Sequence, residues 1–228
     1  ASEYWVLGGL SVPITILWIV GLTNAVNLID GLDGLAAGVA SISSLCLLVI
    51  ALMVSETNIA VFTACLAGAC FGFLPYNFNP AKIFMGDSGS TFLGFILACI
   101  SIEGLFKGYA VISFAVPLLI VALPLFDTSA AILRRIKNKQ PIMQPDRGHL
   151  HHKLIDMGFS QKQAVLILYA ISALMGIVAI ILTGFGVLRA LLLLGAVILF
   201  VGIWLLFMKK PEKEEEKADH PSEESENK

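Results

Sequence analysis

The sequence predicts an all-α fold: a polytopic bundle of about seven membrane-spanning helices, with its chemistry in loops on one side. Three observations predict it. The 228 residues are 57% hydrophobic and 14% charged, with a mean hydropathy of +0.85, whereas a soluble domain is about 45–50% apolar and about 25% charged. The apolar residues form long unbroken runs, not the alternating stretches of about 10 residues that make barrel strands. Once those runs are taken as spans, nearly all the basic residues fall on one side.

A span needs roughly 20 apolar residues. On that rule the spans run over 4–23, 35–54, 58–76, 90–106, 109–126, 162–183 and 187–208. Pro13, Pro117 and Pro124 lie within or near them, which membrane helices tolerate where neighbours satisfy the freed backbone groups. Alternation puts loops 24–34, 77–89 and 127–161 and everything after 208 on one side. That side holds thirteen Lys and Arg, and the other only Lys107 and Arg189. Basic residues stay on the cytoplasmic side, so the polar loops are expected to be cytoplasmic in a plasma membrane. Residues 1–208 read as one membrane domain. Residues 209–228 carry five Lys against eight Asp or Glu and no apolar face, so they read as a disordered cytoplasmic tail. Cys46, Cys65, Cys70 and Cys99 lie inside apolar runs without a C-x-x-C pair. They read as buried small hydrophobes rather than a disulfide frame or zinc site.

Three polar clusters share the cytoplasmic side. The first is Asn24-Ala25-Val26-Asn27-Leu28-Ile29-Asp30-Gly31-Leu32-Asp33-Gly34-Leu35. Charge at the edge of a span is costly and usually kept for a purpose. Asp30 and Asp33 would share a face on a helix, but Gly31 and Gly34 favour a tight turn that lets backbone approach a ligand. The alternative is a turn that only caps the following helix. The spacing is not that of an EF-hand.

The second cluster is Asn77-Phe78-Asn79-Pro80-Ala81-Lys82-Ile83-Phe84-Met85-Gly86-Asp87-Ser88-Gly89-Ser90. Pro80 ends the preceding helix, and Asp87 and Ser88 stand where the next begins, a good cap position. A glycine-flanked helix N-terminus suits phosphate, and Asp87 suits a divalent cation bound through oxygen. Phe84 is an aromatic beside polar groups, suited either to packing or to stacking on a planar base.

The third cluster is Gln140-Pro141-Ile142-Met143-Gln144-Pro145-Asp146-Arg147-Gly148-His149-Leu150-His151-His152-Lys153. Its H-x-H-H spacing lacks the partners of a zinc site. Imidazole, guanidinium and ammonium together suit a clamp on phosphate oxygens. The preceding 127–139 reads as a helix leaving the membrane, its Arg134, Arg135, Lys137 and Lys139 placed either for anionic headgroups or by topology alone. Together the clusters suggest phosphoryl chemistry between a soluble phosphate compound and a lipid.

Asn27-Leu28-Ile29-Asp30-Gly31-Leu32-Asp33-Gly34-Leu35-Ala36, Phe84-Met85-Gly86-Asp87-Ser88-Gly89-Ser90 and His149-Leu150-His151-His152, in that order, resemble the signature loops of the polyprenyl-phosphate N-acetylhexosamine-1-phosphate transferases, glycosyltransferase family 4. The resemblance runs from about Tyr4 to Phe207. The H-x-H-H loop after Asp146-Arg147 is more similar to the branch acting on N-acetylglucosamine than to the muramoyl-pentapeptide branch, which carries three consecutive histidines. The resemblance implies transfer of GlcNAc-1-phosphate from UDP-GlcNAc to undecaprenyl phosphate, with release of UMP and with Mg²⁺ or Mn²⁺, in a bacterial plasma membrane. It makes Asp87 the main metal ligand and Asn27 a second. Asn77 and Phe84 would hold the uracil, and Gly31, Leu32 and Asp33 would form the nucleoside turn. Asp30 becomes a neighbouring acid of the substrate site, and Arg147, His149, His151 and His152 the loop on the sugar phosphate. The bilayer and, as an admissible assembly, a homodimer complete the expected partners; nucleic acid is not among them.

One departure stands out. The family carries an Asp-Asp pair in spans upstream, and no adjacent Asp-Asp occurs here. With seven spans against the family's ten or eleven, and a first residue Ala1, the expectation is a C-terminal part that is inactive alone. The rivals are a muramoyl-pentapeptide transferase and, from other classes, a nucleotide-sugar or anion transporter and a membrane scaffold. A transporter would need polar breaks near mid-membrane, whereas these clusters stand at span ends.

Overall fold

The computed structural model describes residues 8–105, 110–139, 141 and 149–184, with isolated positions between 191 and 203. Among them there is no strand. A 3₁₀ turn, Gly8–Leu10, leads into α1 (Ser11–Ile29). Then follow α2 (Leu35–Met53), α3 (Thr57–Asn77), α4 (Gly86–Leu105), α5 (Ala110–Ile120), α6 (Ala122–Lys137), α7 (Leu150–Asp156) and α8 (Gln161–Gly184). Four stretches have the length and apolarity to cross a membrane: Gly8–Ile29, Leu35–Met53, Thr57–Asn77 and Gln161–Gly184. They match four of the seven predicted spans. Most of the predicted span 187–208 lies outside the described residues, as do Asp146, Arg147 and the tail.

α2 is the central post, packed against α3, α8 and α4. Its small residues allow this, because without a hydrophobic drive in lipid, helices associate by close backbone approach. A Cβ on Gly38 would collide with the Tyr169 ring of α8, and one on Gly176 of α8 would collide with Cys46. Gly94 of α4 sits directly on α1, where a Cβ would lie 2.7 Å from Thr23 Cα. The Ser41 and Ser44 hydroxyls each donate to a carbonyl one turn back, Ala37 and Ala40, at 2.7 Å, so no buried hydroxyl there needs water.

Three elements differ from the sequence expectation. The first helix does not stop at residue 23: it runs to Ile29 and carries Asn24 and Asn27 in its last turns. Nothing before the Asp30-Gly31 turn breaks the backbone ladder. The predicted span 109–126 is split into α5 and α6 at Val121. Pro124 has no N–H to give the Ile120 carbonyl; the Ser43 hydroxyl of α2 donates to that carbonyl instead, at 3.1 Å. After the break α6 packs against α1 and α8 and carries Arg134, Arg135 and Lys137 in its last turn. The third difference is α7, a short helix inside the predicted loop 127–161.

Candidate active site

The first two polar clusters and the described end of the third, His149–Lys153, meet at one end of the bundle. The turn after α1 is the hub. Asp30 is the cap residue of α1, and Gly34 stands at φ +83° before α2, in the left-handed region that glycine adopts without strain. The Gly34 N–H donates to Asn77 Oδ1 at 3.1 Å, and the Tyr169 hydroxyl donates to the Gly34 carbonyl at 2.5 Å. The turn is thus tied to the end of α3 and to the third turn of α8.

The second cluster is an ordered loop. Asn77 is buried and spans it, accepting from Gly34 and donating from Nδ2 to the Ile83 carbonyl at 2.9 Å. The Tyr76 carbonyl accepts from Lys82 and Ile83 N–H. Asp33 Oδ2 accepts from the Ala81 N–H at 3.1 Å and from Asn79 Nδ2 at 3.0 Å, while Asn79 also donates to Gln161 of α8. With its backbone pinned this way, the loop projects Phe84 outward, 76% exposed. Asn77 and Asp33, expected at the nucleoside, spend these contacts on the loop that presents Phe84.

α4 begins at Gly86, and Asp87 stands in its first turn with its side chain exposed. Ser90, one turn on, donates to Asn27 Oδ1 at 2.5 Å, which places Asn27 beside that turn. Burial, then the neighbouring charges of Asp87 and Asp33, push the Asp30 carboxyl up to about 6. Two carboxylates and a carboxamide oxygen therefore face one another across α1 and α4. No group of three His, Cys, Asp or Glu among the described residues forms a ready-made metal cage. That suits Mg²⁺, which typically takes one or two carboxylates plus substrate phosphates. The donor set is all oxygen, so Asp87, Asp30 and Asn27 fit such an ion.

The histidines form the opposite wall. His149 is the cap residue of α7, and His151 and His152 lie in its first turn. A Cβ on Gly31 would lie 2.6 Å from His151 Nε2, so the acidic turn and the histidine segment are in direct contact. This explains Gly31: the ring occupies the space a side chain would take. The His149 and His151 rings are stacked, with centroids 5.7 Å apart, and His151 meets His152 at 4.3 Å. Burial, followed by the neighbouring His152, holds His151 down to about 4, so it is uncharged at neutral pH. It packs against the acidic turn as a neutral ring, which sets it apart from the expected cationic clamp. The Arg147 expected in that clamp lies outside the described residues.

Sequence reasoning missed Asp127. It is buried on α6, its Oδ2 lies 2.9 Å from His149 Nδ1, and its Oδ1 accepts from the Leu150 N–H at 2.8 Å. The available signal was the one used for the first cluster: an acid at the end of an apolar run.

Comparison with known proteins finds relatives of one kind. Residues 3–105 match the model of glycosyl transferase family 4. The chain is 45% identical over 202 residues to a probable undecaprenyl-phosphate N-acetylglucosaminyl 1-phosphate transferase of Bacillus subtilis, covering 89% of this chain and 56% of that protein. It is 41% identical over 121 residues to a decaprenyl-phosphate N-acetylglucosaminephosphotransferase of Mycolicibacterium smegmatis, 48% of this chain and 30% of the other. It is 30% identical over 130 residues to an undecaprenyl-phosphate alpha-N-acetylglucosaminyl 1-phosphate transferase of Escherichia coli, 55% of this chain and 35% of the other. The chain spans about half the length of the first of these relatives and about a third of the others. This all-helical bundle is thus similar to glycosyl transferase family 4 over residues 3–105 and to those N-acetylglucosaminyl 1-phosphate transferases over the matched lengths.

Proposed function

We propose that the protein transfers GlcNAc-1-phosphate from UDP-GlcNAc to undecaprenyl phosphate, releasing UMP and leaving a lipid-linked sugar diphosphate, with Mg²⁺ or Mn²⁺. The observation that carries this reading is the meeting of two acids whose carboxylates have no hydrogen-bond partner among the described residues (Asp30, Asp87) with a histidine segment across Gly31, at the end of an apolar helical bundle. The phosphorus that bears the sugar exchanges its bond to UMP for one to the lipid phosphate oxygen. Phe84, exposed on a pinned loop, suits stacking on the uracil, and the turn 31–33 suits the nucleoside beside it. Asp87 and Asn27, with Asp30 behind them, would hold the cation; bound there, a divalent ion neutralises the diphosphate oxygens. The histidine segment lies where it can contact the sugar phosphate. The thirteen-to-two bias of basic residues supports a cytoplasmic position for this end, in the bacterial plasma membrane, where the donor sugar nucleotide is soluble and the acceptor is held in lipid.

The test uses the full gene product in membranes with UDP-GlcNAc and undecaprenyl phosphate. Mg²⁺-dependent UMP release is expected, and Asp87→Ala is expected to lower it by at least about 10²–10³-fold, as for loss of one strong electrostatic contact to the reacting group. Undiminished release by that variant removes Asp87 from the mechanism.

A further inference from the structure

We propose that Asp127 is a positioning residue for this reaction: it holds the proton of His149 on Nδ1 and leaves Nε2 as the ring's proton acceptor. The inference rests on the transferase reading above and concerns a residue outside all three sequence clusters.

The geometry carries it. Asp127 is 3% exposed and His149 is 6% exposed, so neither group is set by solvent. The carboxylate meets two donors from successive residues of the partner segment, His149 Nδ1 at 2.9 Å and the Leu150 N–H at 2.8 Å. The second contact fixes the first. A backbone N–H can only donate, so one carboxylate oxygen is committed to Leu150. The other oxygen, also acceptor-only when ionised, then requires Nδ1 to bring the proton. No side chain of α7 caps its own N-terminus; Asp127, 23 residues earlier on another helix, caps it. One carboxylate therefore fixes both the start of the helix and the tautomer of its first ring. That ring stacks on His151, which lies against Gly31. Asp127 thus orients the histidine wall against the acidic wall without touching substrate itself.

An amide at this position makes a sharp test. In Asp127→Asn, the carbonyl oxygen must stay on Leu150 N–H. The NH₂ then faces His149, and Nδ1 must accept, which moves the proton to Nε2. The expected result is a fall in kcat for UMP release of about 10²–10⁴-fold, the range for loss of a positioned acid–base group, with the KM for UDP-GlcNAc changed less than about threefold. Asp127→Glu keeps two acceptor oxygens and is expected to recover at least about tenfold over the Asn variant. A readout independent of activity is the ¹⁵N spectrum of histidine-labelled full-length protein in lipid above pH 8, with His149→Gln identifying the signal. His149 Nδ1 is expected to be protonated in the wild type and bare in Asp127→Asn. An Asn variant with kcat within threefold of wild type, or equal losses in the Asn and Glu variants with an unchanged ring, overturns the proposal. A bare Nδ1 in the wild type overturns it without any variant, so it stands or falls even if Asp127→Asn does not accumulate. Absence of UMP release by the wild type defeats the transferase reading instead, and the nitrogen spectrum still decides the role of Asp127.

Discussion

The acids at this end of the bundle fall into two kinds. Asp33 and Asp127 are engaged by protein donors: Asp33 by Ala81 N–H and Asn79, Asp127 by His149 and Leu150 N–H. Among the described residues no hydrogen-bond donor meets the carboxylate of Asp30 or Asp87, the Ser90 and Thr91 hydroxyls donating only to the Asp87 backbone carbonyl, and Asp30 is pushed up to about 6 by burial and by the charges beside it. A satisfied carboxylate stabilises a fold; a crowded one destabilises it until a cation or substrate arrives. Bond accounting thus separates the acids that build the site from those that serve it, though all four look alike in sequence.

Substitution at one acid of each kind tests that division most strongly. Asp30→Asn is expected to cost about 10²-fold in activity and yet to raise the stability of the protein. A folded-state pKa raised from 3.8 to about 6 means that the Asp30 contribution is fully present below about pH 4 and lost as pH rises through 6. The Asn variant should therefore be more stable above pH 6 and equal to wild type near pH 4. Allowing for solvent screening at this half-buried group, the gain is about 1–2 kcal/mol, a few degrees in Tm. Asp33→Ala should do the reverse, costing about 1–3 kcal/mol because the Ala81 N–H and Asn79 lose their acceptor. (Asn at position 33 would be a weak test, since its oxygen could serve both donors.) Thermal unfolding in detergent at pH 5 and 8 measures both. If the two variants shift Tm in the same direction, the division fails.

The contact between the walls comes next in size. Gly31→Ala places a methyl 2.6 Å from His151 Nε2, and that ring is 2% exposed, with no solvent to withdraw into. Overpacking of this kind costs about 1–3 kcal/mol. UMP release should fall by at least about tenfold, because a misplacement near 1 Å weakens positioned catalysis. Gly21→Ala, on the same helical hairpin with open space around its Cβ, is the control and should leave both stability and activity unchanged. Equal behaviour of the two alanines would mean that the walls do not act together.

Much of this was legible because the signals are local. Hydropathy runs mark helices, and the Asp-Gly turn, the Phe84 loop and the histidine segment each announce themselves within about a dozen residues. The long-range pairings were not legible. Asp127 sits at the edge of an apolar run, and its partner is 22 residues away across a turn. Gly38 reads as one more small helix residue until Tyr169, from another helix, fills the space above it. The break at Val121 could not be placed from Pro124 alone, because the hydroxyl that compensates it belongs to Ser43 on α2. The two contacts of Asn77 within the protein, to Gly34 and Ile83, were also hidden, because they depend on the turn and loop those residues belong to.

The smallest expected effect comes from setting the two walls against each other by pH. His151, held down to about 4 from 6.5, contributes stability that is present above pH 6.5 and lost as pH falls toward 4, because only the unfolded ring takes up the proton. Between pH 7 and 5 this costs about 2 kcal/mol. Asp30 works in the opposite direction over the same interval, since its folded-state carboxyl takes up a proton near pH 6 and relieves the crowding. That returns about 1 kcal/mol after screening, so the wild type should lose little stability between pH 7 and 5. Asp30→Asn removes the compensating half and should expose a fall in Tm of several degrees over that interval. The double variant Asp30→Asn/His151→Gln should be nearly flat again. If Asp30→Asn is already flat, His151 does not titrate differently on unfolding, and the neutral histidine wall loses its support.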